Sequence, residues 1–139
     1  MVNTQRIISA KIVRNGVFMN ETQNVAMFAA TLLHSSTNTH FFHWSTNSYS
    51  QHKALGKYYD EIIELVDDYV EAYMGCYEQI KQFPSVYHQP KEPLKYLESL
   101  KNFVKEANND LPKEQELVNI VAEIQQLIDS TIYKLKYLK

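Results

Sequence analysis

Cysteine is nearly absent from the sequence. The single Cys76 excludes an internal disulfide, so folding rests on noncovalent packing and a reducing compartment is expected. Glycine (3) and proline (4) are scarce as well, too few turn residues for an all-β chain. No segment approaches the roughly 20 apolar residues of a membrane span. No N-terminal stretch carries the apolar run of a signal peptide. No membrane partner and a cytoplasmic location are therefore the expectations. An excess of one charge is also lacking: the net charge is −2, which gives no general pull towards nucleic acid.

What is present is apolar periodicity. With 45% apolar residues in 139, the chain can bury one core and is long enough for one domain. Residues 1–18 show no helical period and read as an arm with a short extended piece. Residues 19–139 read as a helical domain. Asn20 or Thr22 can cap a first helix over about 21–46, with Val25, Phe28, Leu32, Thr39 and Phe42 at helical spacing. The stretch "STNSYSQ" interrupts it. A second helix follows over about 49–82, with Leu55, Ile62, Leu65, Val66, Tyr69, Tyr73, Tyr77 and Ile80 on one stripe, and Gly75 weakening or bending it. Pro84, Pro90 and Pro93 make "PSVYHQPKEP" a linker. Pro93 and Pro112 then open two further helices, about 93–108 and 112–137. The fold class expected is all-α, an antiparallel four-helix bundle.

The second helix carries a second stripe beside its core stripe: His52, Gly56, Asp60, Ile63, Asp67 and Glu71. Asp67 and Glu71 are four apart and adjacent on that face, where two like charges repel unless a cation lies between them. His40 and His43 share a face of the first helix, and His43 can meet His52 across the short turn. The acids cannot join them in one chain. Fifteen residues from His52 to Asp67 correspond to about 22 Å of helical rise, against metal–ligand bonds of about 2.0–2.2 Å. Two copies of the second helix crossing head to tail about a two-fold axis would bring each His52 to the other copy's Asp67. Gly56 would sit at that crossing. A mixed imidazole and carboxylate set with open positions suits iron first, then zinc or manganese.

"THFFHW" at 39–44, a histidine at the start of the next helix, and "ELVDDYVEAY" together resemble the Dps family, the starvation-induced mini-ferritins. The resemblance covers most of residues 21–137 and is carried mainly by residues 39–73. It implies a ferritin-like bundle whose site lies across a two-fold dimer interface, binds iron and oxidises it with peroxide or oxygen. A hollow dodecamer would be the higher oligomer. His43, His52, Asp67 and Glu71 take the ligand positions, Asp60 and His40 are further candidates, and Trp44 is the tryptophan beside the site. The sequence departs from the family pattern in its shorter turn after His43 and in Gly56, where an aspartate is usual and for which Asp60 is the nearest substitute. Residues 84–93 hold no counterpart of the family's short extra helix, and the lysine-rich DNA-binding tail is missing.

Other features read more plainly. His34 and His88 are expected at the surface, Cys76 as a small buried hydrophobe, Trp44 as a core or interface aromatic, and the tyrosines chiefly as packing residues. The alternative function is a non-catalytic helical oligomer with a degenerate metal site. Arg6, Lys11 and Arg14 make the N-terminal arm basic, so a weak DNA contact is a further reading.

Overall fold

In a computed structural model of the chain, residues 12–13, 17–85 and 87–139 are described. The described residues are helical or in connecting loops apart from one small strand pair. Ile12–Val13 (β1) pairs antiparallel with Val17–Phe18 (β2), the extended piece expected in the arm. The rest of the arm, including Arg6, Lys11 and Arg14, lies outside the described residues.

Four α-helices follow: α1 Glu21–Ser45, α2 Tyr49–Cys76, α3 Pro93–Ala107 and α4 Gln115–Tyr137. Three of the four starts have a side-chain cap. Asn20 caps α1 in a full capping box with Gln23, the two exchanging side-chain bonds with each other's backbone N–H. Ser48 caps α2. Glu92 caps α3 through Leu94 N and Lys95 N, with Pro93 in the first turn.

Two boundaries differ from the sequence reading. Helix α2 stops at Cys76, six residues early, and the described residues of 77–92 carry no helix. Gly75, poor in helix propensity, stands one residue before the stop. Ile80 is buried all the same, by tertiary packing alone. Helix α4 starts at Gln115 and not at Pro112: a 3-10 turn, Asn108–Asp110, precedes the proline, and Glu114, with φ −54° and ψ 135°, is not yet helical. Leu111 is buried in that connection.

Helix α1 packs on α2 and α3, and α4 packs on the same two, closing a ring around one core. Phe28, Leu32, Leu55, Ile62, Leu97, Leu117, Ile124 and Ile128 fill it. Residues advancing along α1 meet residues receding along α2: Thr22 with Tyr73, Ser35 with Tyr58, His43 with His52. The same holds for α1 with α3, where Phe28 meets Phe103 and Asn38 meets Tyr96. It holds again for α2 with α4, where Tyr77 meets Glu114 and Ser50 meets Leu138. Linker 77–92 therefore runs lengthwise, from the Thr22 end of α1 to Asn38, which holds the His88 carbonyl at 3.1 Å.

The C-terminal half of α1 buries polar groups. Ser35, Ser36, Asn38 and Thr39 are all buried, and each makes at least one hydrogen bond. Ser35 Oγ bonds Tyr58 Oη at 2.7 Å, and Ser36 donates to the Tyr59 carbonyl at 2.9 Å. These short side chains let α1 and α2 approach closely, which sets the histidines of one against the other.

Candidate metal centre

His43 lies in the last turn of α1 and His52 in the first turn of α2, across the connection Thr46–Ser48. Their rings stack, centroids 3.7 Å apart and planes at 18°. The contact is reciprocal. His43 Nδ1 lies 2.6 Å from the His52 carbonyl oxygen, and His52 Nδ1 lies 2.8 Å from that of His43. A carbonyl can only accept, so each Nδ1 carries the hydrogen. Each Nε2 then keeps its lone pair in the neutral ring, the arrangement by which proteins orient a ligating imidazole.

Gly56 stands one turn after His52, directly under the His43 ring. A Cβ there would lie 3.0 Å from His43 Cε1 and 3.1 Å from Nδ1. The His43 ring thus occupies the space that an aspartate side chain at 56 would enter, which accounts physically for the glycine. Around the pair, Tyr59 stacks on His40 at 3.9 Å and 9°, and the Trp44 ring lies 4.3 Å from the His40 ring, tilted at 47°. His40 is therefore held as one aromatic ring among three. Trp44 is 66% exposed in the single chain and does not serve the core, which leaves only the interface half of its expected role.

An open cleft beside the pair is lined by His43, His52, Gly56, Tyr59 and Asp60, and by three lysines, Lys53, Lys57 and Lys134. Lys57 also sits 4.0 Å from Glu61. Asp60, Ile63, Asp67 and Glu71 are exposed on α2. Among the described residues, no three His, Cys, Asp or Glu side chains come together as a metal-holding group within the chain. The acid pair stands apart from the histidine pair, as the helical rise dictates.

Three further expectations need correction. Cys76 is exposed, because α2 ends there, and its Sγ faces Glu116 at 3.7 Å. Burial of part of the thiol and the neighbouring carboxylate raise its pKa, so it stays a thiol. His34 is half-buried and not a surface residue: its Nδ1 is buried and its ring meets Tyr87 edge-on at 5.3 Å. Tyr77 is 41% exposed and off the core stripe, whereas Tyr58, which the stripe omitted, is fully buried. The signal for Tyr58 was its spacing, three residues after Leu55 and four before Ile62.

No helix among the described residues is long and apolar enough to cross a membrane. No curated protein and no solved structure matches the chain. The profile of a family of unknown function, DUF5856, matches residues 43–135, a stretch that opens at His43 and takes in His52, Asp67 and Glu71. The match spans well over half of the 139 residues, and the chain belongs to that family.

Proposed function

We propose that this protein is a ferritin-like, Dps-like iron-binding protein whose metal site forms between two chains. His43 and His52 come from one chain, and Asp67 and Glu71 from the other. The observation that carries this reading is the reciprocal imidazole lock. It spends both Nδ1 hydrogens on backbone carbonyls and leaves two Nε2 lone pairs at one cleft. The three lysines lining that cleft oppose a lone dication. Carboxylates brought by a second chain neutralise this charge, and the exposed Asp67 and Glu71 are on the right helix to supply it. Ferrous ion, the favoured metal over zinc or manganese, is the substrate, and peroxide or oxygen takes an open position on it.

The order of contacts supports the ferritin-like assignment. Helix α1 runs opposite to α2 and α3, α2 runs opposite to α4, and one long crossover joins α2 to α3. A single long crossover is the ferritin-like variant of the antiparallel four-helix bundle.

The test is complementation. His43→Ala with His52→Ala removes one half of each site, and Asp67→Ala with Glu71→Ala the other. Anaerobic ferrous titration should show stoichiometric binding for the native chain and none for either double variant. Refolding an equimolar mixture should restore about a quarter of the native stoichiometry, since half the dimers are mixed and each holds one intact site of two. Binding by either variant alone, or no recovery on mixing, refutes the intersubunit site.

A second reading rests on exposed apolar surface. Trp44 (66%), Tyr49 (75%) and Ile63 (39%) stand out of the same end and flank. They fit a helical oligomer that associates without metal. A native mass that stays oligomeric in chelator, with no uptake of added ferrous ion, favours that reading.

A further inference from the structure

No acidic residue stands between Glu21 and Asp60, and none follows Asp129. Folding brings the ends of these two acid-free stretches together, where α1 ends, α2 begins and α4 ends. Ser50 Oγ donates to the Leu138 carbonyl at 3.3 Å and ties the end of α4 to the start of α2. Lys53, Lys57, Lys134, Lys136 and Lys139 belong to this end, so a chain of net charge −2 carries a basic pole. The pole takes in none of the basic residues of the N-terminal arm.

Lys53, Lys57 and Lys134 line the open cleft, a space of about 880 Å3, against one acid, Asp60. Lys57 also lies 4.0 Å from Glu61, an exposed pair that holds it weakly. The excess of positive charge makes the cleft an anion acceptor.

Exposed rings surround it. Trp44, 66% exposed, lies 4.3 Å from the His40 ring, and His40 stacks on Tyr59. Tyr49, 75% exposed, is near-parallel to His52 at 6.4 Å and 25°, and His52 stacks on His43. Each group of rings ends in an outer member that solvent reaches. Tyr133 and Tyr137 form a third exposed pair, with Lys136 Nζ 5.6 Å above the Tyr137 ring. Rings beside a positive groove suit a single nucleic-acid strand, because every base has a π face and every backbone phosphate a negative charge. In a duplex those faces are already stacked on one another. A lipid surface is flat and does not enter a cleft.

We propose that this pole binds single-stranded nucleic acid without regard to base sequence. Phosphates follow the cleft past Lys53, Lys57 and Lys134, and bases stack on Tyr49 and Trp44. The surface does not depend on the metal reading. Phosphates and the carboxylates of a second chain meet the same lysines, so the two occupants exclude one another.

Trp44 is the single tryptophan of the chain, so its fluorescence reports this surface alone. The probe is an oligothymidylate of about 12 residues, titrated into the full chain in chelator at about 50 mM salt. Stacking should quench the indole saturably, with half-saturation below about 100 μM. Log affinity should fall against log salt with a slope of about −2, about −0.7 for each phosphate that the three lysines neutralise. Lys53→Gln with Lys57→Gln changes two exposed side chains, and should weaken binding at least about tenfold and cut the slope to about −0.7. Tyr49→Ala should weaken it about fivefold or more. Lys105→Gln, near the opposite end of the bundle where Phe103 meets Phe28, should bind as the native chain does. A duplex of the same length should bind at least about tenfold more weakly. No saturable quenching by about 100 μM probe overturns the proposal, as does unchanged affinity in the double lysine variant. Equal affinity for the duplex, or full affinity in Tyr49→Ala, overturns the stacking of bases. Quenching by phosphatidylserine vesicles and not by the oligothymidylate overturns the choice of partner and makes the pole a lipid-binding surface.

Discussion

Replacing Gly56 by alanine separates two opposing effects whose sizes can be set from the structure. In the interior of a helix the change alone stabilises by about 0.5–1 kcal/mol, because alanine loses less backbone freedom on folding. Here the new Cβ would stand 3.0 Å from His43 Cε1 and 3.1 Å from Nδ1. The ring cannot simply swing aside. It is held at 2.6 Å to the His52 carbonyl and stacked at 3.7 Å on the His52 ring. Losing that hydrogen bond costs about 0.5–1.5 kcal/mol, and losing the ring contact a similar amount. The clash therefore costs about 1–3 kcal/mol, and Gly56→Ala should destabilise by about 1 kcal/mol net. In a His43→Ala background the obstacle is gone, and the same change should stabilise by about 0.5–1 kcal/mol. The coupling between the two positions is then about 2 kcal/mol. Urea unfolding followed by far-UV circular dichroism, at one fixed protein concentration, measures all four chains. Gly75 is the control: an added Cβ there meets nothing within 4 Å, so Gly75→Ala should stabilise by about 0.5 kcal/mol in either background. Gly56→Ala that stabilises equally with and without His43, a coupling below about 0.5 kcal/mol, would refute the account of why glycine stands there.

Two buried tyrosines should respond in opposite ways to loss of the hydroxyl. Tyr58→Phe breaks the 2.7 Å bond to Ser35 and should lower stability by about 1 kcal/mol. The Tyr69 hydroxyl is buried with no partner among the described residues, so Tyr69→Phe should be neutral or slightly stabilising. Stability should also fall at high pH. Burial raises the pKa of Tyr58, Tyr69 and Tyr96, so the folded chain keeps protons that the unfolded chain releases near pH 10. Stability from this source is complete below pH 10 and lost above it, by up to about 1.4 kcal/mol per pH unit for each tyrosine. Urea midpoints at pH 9, 10 and 11 check the slope, and Tyr58→Phe should make it shallower. Glu92→Ala removes the cap from Leu94 N and Lys95 N and should cost about 1 kcal/mol, with exchange of those two amide hydrogens accelerated.

Much of this molecule was legible in order along the chain. The four helices follow from apolar residues recurring at a 3.6-residue period, from the Asn20 cap, and from the prolines that open or interrupt them. The separation of the acid pair from the histidine pair follows from helical rise alone. The meeting of His43 with His52 was also readable, since only a short turn divides them. These are local properties, set by backbone geometry within a few turns.

What tertiary structure alone decided concerns groups distant in sequence. The exchange of Nδ1–H bonds with each other's carbonyls depends on how closely α1 approaches α2, which the small buried Ser35 and Ser36 permit. Gly56 takes its meaning only from the ring above it. Asn38, a polar residue within an apolar stripe, is buried because His88 and Tyr96, fifty and fifty-eight positions onward, satisfy its amide hydrogens. Cys76 is exposed because α2 ends beside it, and Ile80 is buried because the linker turns back along the core. Periodicity reports which face of a helix is apolar. It does not report which neighbour that face meets, or which hydrogen bonds remain to be made once the helices have closed together.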